Sequence, residues 1–169
     1  QKVIILLHLE IIVIQGSGTT VSGNNGHAEG DGTTVSGENG HAEGNNTTAS
    51  GTNTHVEGIG TVANHRSQHV FGEYNALDSS NSASSVRGNF IEIVGNGASE
   101  NDRQNARTLS WNGNEILAGK LTVGADPTNQ MDVCTKRYVD NNLNNMNVAT
   151  ENDIGKALSP KTVDNGKVT

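Results

Sequence analysis

From Val21 onward a small apolar residue recurs at every seventh position: Val21, Ala28, Val35, Ala42, Ala49, Val56, Ala63 and Val70. Two residues after each stands a glycine, at 23, 30, 37, 44, 51, 58 and 72, with His65 the single exception. Fuller identity returns at fourteen. GTTVSGNNGHAEG at 18–30 recurs as GTTVSGENGHAEG at 32–44 and decays through NTTASGTNTHVEG at 46–58. Within each unit a polar–apolar–polar–Gly run, such as His27-Ala28-Glu29-Gly30, alternates as a strand with one buried face does. The glycine then supplies a corner at little steric cost. Seven residues thus make a short strand and a turn, and two such units make a fourteen-residue coil. Coils stacked about 4.8 Å apart would pair each strand in parallel with its equivalent one turn later. A coiled coil also repeats at seven, but it needs two apolar positions per heptad and few glycines, so it is excluded.

Residues 1–15 are of another kind. VIILLHLEIIVI at 3–14 is nearly all apolar yet carries His8 and Glu10. The run is shorter than the roughly 20 residues of a membrane span, so membrane insertion is not expected. Lys2 ahead of it and Gly16-Ser17-Gly18 behind it imitate a secretory signal weakly, without an A-x-A pattern. A signal peptide, a buried strand and a truncation or reading-frame scar stay open as readings.

Beyond Gly72 the register loosens. Leu77 keeps the seven-step, whereas Val86-Arg87-Gly88 arrives two residues late, as an insertion within Ser79–Ser85 would cause. Residues 89–124 read as a β-rich connector. FIEIV at 90–94 is a strand, GNGASEND is turn-rich, and Asn112-Gly113-Asn114 joins two alternating runs, 107–111 and 115–123, as a hairpin. In 125–169 a short helix is expected, with Val139, Leu143 and Met146 spaced for contact between chains. The polar stretch after Asn147 is read as flexible or as the start of another module.

Composition adds two constraints. Only 32% of residues are hydrophobic and 3% aromatic, while 21 are glycine, a poor supply for a globular core. Such a composition fits either disorder or a repeat fold, and the strict period selects the repeat. Each coil buries only two small side chains, so coils gain stability by stacking and by association with neighbouring chains. The net charge of -7 and the absence of a basic cluster beyond Lys136-Arg137 argue against nucleic-acid binding.

The units GHAEG at 26–30 and 40–44 and THVEG at 54–58 resemble the head repeats of YadA-type trimeric adhesins. They resemble still more the copies found in tail-fibre proteins of phages and prophages of Gram-positive bacteria. The stretch from Val94 to Ala125 resembles a connector module of the same phage proteins, and Lys136-Arg137-Tyr138-Val139-Asp140 resembles a fibre motif that closes a short helix. The resemblance implies an all-β fold: a left-handed parallel β-roll with fourteen-residue turns over 16–88, trimeric, then the connector and the short helix. It implies a homotrimeric segment of a virion tail fibre that projects toward, or binds, a host-surface polysaccharide. A bacterial cell-surface adhesin head and a ligand-free spacer are the alternatives.

The chemistry available is sparse. His27, His41, His55 and His69 stand fourteen apart, and Glu29, Glu43 and Glu57 follow two residues behind the first three. Stacked coils would align them in two columns. Such columns admit a metal ion or a pH-sensitive strip. The simpler expectation is a polar surface or interface ladder, because donors one coil apart point in parallel instead of converging. Thr19-Thr20, Thr33-Thr34 and Thr47-Thr48 would form a threonine ladder on a β-face, and the Asn/Glu-rich corners at 24–25, 38–39 and 45–46 would face solvent, open to glycan. No nucleophile elbow, P-loop, dinucleotide fingerprint or recognisable self-cleaving domain is present, so neither enzymatic activity nor a cofactor is expected. Cys134 is alone and is read as a helix packing residue.

Overall fold

Backbone bonding between equivalent residues of successive coils organises the chain. The computed structural model describes residues 2–7, 10–129, 132–134, 136–145, 163–164 and 167–168. Two compact units divide it, Gln1–Lys120 and Leu121–Thr169. The first holds β1 (Lys2–Leu7), β2 (Glu10–Ser17), β3 (Thr20–Val21), β4 (His27–Asp31), β5 (Thr34–Val35), β6 (His41–Asn45), β7 (Thr48–Ala49), β8 (His55–Ile59), β9 (Val62–Ala63), β10 (His69–Glu73), β11 (Phe90–Asn96), β12 (Asn105–Ser110) and β13 (Glu115–Leu117). The long strands form a nine-stranded sheet in the order β1-β2-β4-β6-β8-β10-β11-β12-β13, and the two-residue strands form a second sheet, β3-β5-β7-β9. This is the expected parallel β-solenoid. His27 pairs with His41, His41 with His55 and His55 with His69, each one coil apart.

Between the sheets lies one file of small side chains. Ala28, Val35, Ala42, Ala49, Val56, Ala63, Val70 and Ile93 are fully buried. In the second and third threonine pairs the first member turns inward: Thr33 and Thr47 are buried, whereas Thr34 and Thr48 are half-buried on the short strands; Thr19 is half-buried and Thr20 exposed. The expected face ladder is therefore half core. Thr61 continues the buried column and donates its hydroxyl to the Glu57 carbonyl at 2.9 Å.

The glycines mark where coils approach most closely. A Cβ on Gly30, Gly44 or Gly58 would collide with the carbonyl oxygen of the glycine one coil on, and the three residues hold φ of 118°, 112° and 107°. Gly23, Gly37 and Gly51 are hemmed in likewise by the carbonyls of Gly37, Gly51 and His65. His65 has no further coil of the short sheet above it, so the last place in this column accepts a side chain. Its ring is buried.

The solenoid extends past both expected limits. β2 pairs in parallel with β4 and sets Ile14 on Ala28 and Gly16 on Gly30. The seven-step thus reaches back to Ile14, and the boundary drawn at Gly16 falls inside a strand. The apolar segment forms two strands, β1 folding back antiparallel on β2, and residues 12–14 of β2 are half-buried. His8 lies outside the described residues. At the other end β11 adds to β10 in parallel, with Ile93 beside Val70 and Gly95 beside Gly72. Glu92 follows its partner His69 by twenty-three residues instead of fourteen, so the insertion is real but longer than the seven-step indicated. Leu77 and Val86, read as continuing the apolar file, are 47% and 48% exposed.

Side chains close the short sheet where the insertion begins. In earlier coils Thr34 N–H donates to the Thr47 carbonyl and Thr48 N–H to the Thr61 carbonyl. Val62 N–H donates instead to the side-chain oxygen of Asn75 at 2.8 Å, and the Asn75 amide donates back to the Val62 carbonyl at 3.1 Å. Gln68 Oε1 accepts from Asn64 N–H and His65 N–H, both at 3.0 Å, where earlier coils use a backbone carbonyl. Gln68 Nε2 in turn donates to the buried Asp78 carboxylate at 2.9 Å, which also accepts from Phe90 N–H. Two amides and a carboxylate thus satisfy a sheet edge that would otherwise be buried and unpaired.

β12 and β13 form the expected hairpin about Gly113, whose φ is 85°. β13 stops at Leu117, short of 123. Arg103 fastens the turn before β12 to the solenoid by donating to the Gly60 carbonyl at 2.7 Å. In the second unit a short helix, α1 (Lys136–Asn145), is present as expected, but it opens on the motif Lys136–Asp140 that was expected to close it, and β14 (Val163–Asp164) pairs antiparallel with β15 (Lys167–Val168). Val139 on α1 is exposed, Met146 lies outside the described residues, and nothing is described of the Leu143 side chain. Among the described residues no helix is long and apolar enough to cross a membrane.

Gly44→Ala should lower stability by at least about 2 kcal/mol, since the new Cβ meets a backbone carbonyl in a backbone region foreign to L-residues. Gly119→Ala, at a site with open space around it, should be within about 0.5 kcal/mol of the parent in the same urea titration. Gln68→Met should cost about 2–4 kcal/mol by leaving the Asn64 and His65 N–H groups without their acceptor; an unchanged unfolding midpoint would remove the capping role.

Candidate functional site

The strands of the long sheet alternate, so residues on either side of the buried alanine or valine turn outward together. This places His27, His41, His55 and His69 in one column and Glu29, Glu43 and Glu57 in the next. The imidazoles stack. Ring centroids are 4.5 Å, 4.6 Å and 5.0 Å apart along the column, with interplanar angles of 16°, 14° and 20°. Phe71 follows beside His69 at 5.2 Å. The carboxylate column has different neighbours at its ends: Gln15 pairs with Glu29, and Phe71 stands where the next glutamate would be.

Carboxylates reach the imidazole edges. His27 Nε2 lies 3.5 Å from Glu29, His41 Nε2 3.8 Å from Glu43, and His69 Nε2 3.8 Å from Glu57. Glu57 thus leans one coil onward. His55 stands between Glu43 and Glu57, and one donor atom from each of these three residues lies within 4.8 Å of the others. Parallel columns were expected to offer donors that do not converge. At this coil they do, because the glutamate side chains are long enough to bend along the column axis.

Stacking also affects protonation. His41 sits below its ordinary value of 6.5, first because burial disfavours its charged form, then because His27 and His55 flank it. Glu43 and Glu29 oppose this without overcoming it. Two of the expected corners, 24–25 and 38–39, join Asn53 in a third column, in which Asn25 donates to Asn39 at 3.2 Å and Asn39 to Asn53 at 3.0 Å. At the corner 45–46 Asn46 instead donates to its neighbour Asn45 at 2.9 Å. Asn25, Asn39 and Asn53 hold φ of 55°, 53° and 57°, a region asparagine tolerates better than most residues.

A further feature lies in the β11–β13 region. A cleft of 490 Å³ is walled by Phe90, Trp111 and Ile116, with Asn89, Asn112 and Asn114 at its rim. The Arg87 guanidinium lies 4.1 Å from the centroid of the Trp111 ring. Sequence reasoning did not single out this group. Its one available signal was the chain's lone tryptophan beside the hairpin turn. Cys134, read as a packing residue within a helix, is exposed and precedes α1.

Comparison with known proteins gives no match to any protein-family model and none to any curated sequence.

The depressed pKa of His41 carries a sign. The folded chain binds that proton less readily than the unfolded chain, so its contribution is complete above pH 6.5 and is lost as pH falls below it. In chelator-treated buffer the thermal midpoint should therefore drop between pH 7 and 5, and drop less in His41→Gln. A midpoint that stays flat or rises across that window would contradict this account.

Proposed function

We propose that the chain is a structural and attachment segment of a phage tail fibre or related virion appendage. In this reading three copies associate, and the solenoid projects toward a host-surface polysaccharide or helps to bind it. One observation carries the proposal: successive coils pair residue on residue at fourteen, around a file of single small side chains. A fold of this kind gains height by repetition and presents columns of identical groups, which suits a projecting element. The chemistry-bearing side chains are themselves part of the repeat.

Association follows from the thinness of the core. Alanine and valine are the whole buried apolar content of the coils from β4 to β10, so an outward face covered by a second and third chain would supply the burial that one chain lacks. For polysaccharide, the Trp111 cleft has the right character: aromatic and aliphatic walls for the C–H face of a sugar ring, with asparagines at the rim for its hydroxyls.

The β-rich segment beyond the repeats, with its resemblance to phage connectors, favours a fibre over a bacterial adhesin head built on the same coils. Light scattering on the purified chain should give a mass near three times 17.7 kDa. A monomer would refute the assembly. A glycan array should retain the parent chain and lose Trp111→Ala; no retention of either would leave a spacer without ligand.

A further inference from the structure

The glutamate column could have paired with the imidazoles one to one. It does so at His27 and His41, each with the carboxylate of its own strand. The pairing then shifts. Glu57 turns from the histidine of its own strand toward His69, one coil onward. Two carboxylates therefore flank His55, and its Nε2, like those of His41 and His69, is shut off from solvent and has no hydrogen-bond partner. A sequestered ring nitrogen without a partner, beside two carboxylates, is an unsatisfied arrangement that protein groups alone do not resolve.

We infer that Glu43, His55 and Glu57 form a binding site for one divalent transition-metal ion of the zinc class, a conclusion independent of the attachment role above. Two carboxylate oxygens and one imidazole nitrogen are the donor types that zinc accepts, at roughly 2 Å each. Donors around one such ion stand about 3–4 Å apart, within reach of three atoms already inside 4.8 Å of one another. The divalent charge balances the two carboxylates, and the neutral ring supplies the lone pair that now lacks a partner. Solvent fills the remaining position or positions, because all three residues are only half-buried. The strand backbones carrying the donors are held in register by the β6–β8 pairing, in which Glu43 stands beside Glu57 and His41 beside His55.

The column also dictates how many ions can bind. Glu29, His41 and Glu43 repeat the same sequence relation one coil earlier, but they share Glu43 with this site. Further along the column Phe71 removes the second carboxylate, and before it Gln15 removes the first. One ion per chain follows.

Calorimetric titration of the full chain with zinc chloride tests this, with thermal unfolding followed in zinc and in chelator. The parent should bind one zinc ion per chain and unfold at a higher temperature in zinc. His55→Gln and Glu57→Gln should each weaken binding at least about tenfold while leaving the midpoint in chelator near that of the parent. His41→Gln should retain zinc. If His55→Gln folds poorly, Glu57→Gln carries the comparison. Absence of binding at millimolar zinc overturns the assignment, as does weakening that is equal in all three variants or confined to His41→Gln.

Discussion

Main-chain hydrogen bonds hold each coil to its neighbour in a fourteen-residue register, and the remaining features of the solenoid follow from the distance those bonds impose. Strand partners and corners alike obey it: Thr34 N–H reaches the Thr47 carbonyl at 2.9 Å, and Asn39 N–H reaches the Asn24 carbonyl at 2.8 Å. With coils this close, any side chain at the tightest points would occupy the next coil's carbonyl. Glycine there is a consequence of stacking, and its recurrence in the sequence records the backbone separation. Over most of its length the interior holds only small side chains, alanine and valine with a column of threonines.

A ladder of this kind has ends, and the ends are where sequence identity is abandoned. Asn75 and Gln68 stand in for the carbonyls of a missing strand, and Asp78 gathers the N–H groups of the returning chain. These residues break the repeat for one reason: a buried edge without a next coil must find its partners in side chains. His65 shows the converse. Where no further coil presses on the column, a residue far larger than glycine fits and fills the space.

Stacking also converts a modest strand face into aligned chemistry. A histidine repeated every coil becomes a file of rings about 4.5–5 Å apart, close to the natural spacing of strands. Such alignment is structural in origin and does not by itself imply a site. What makes one stretch of the file distinctive is a change in its neighbours: Phe71 ends the carboxylate column, Glu57 turns along the axis, and His55 is left between two acids.

The sequence by itself determined the solenoid, its coil length, its buried file and its glycine corners, because parallel stacking forces equivalent residues into equivalent environments and periodicity is the direct trace of that. It also located the β12–β13 turn at Asn112-Gly113 and the helix after Asp126-Pro127, where local backbone preferences suffice. Only the tertiary structure decided where the solenoid begins and ends. Ile14 and Gly16 obey the register amid residues of different composition, and β11 joins the sheet across a long insertion that no fixed step anticipates. Cap residues were illegible for the same reason: Asn75, Gln68 and Asp78 are polar residues of ordinary type until the fold leaves a strand edge beside them. The direction in which Glu57 leans belongs to that class, since a side chain's choice between two neighbours depends on contacts along the column and leaves no mark on the repeat.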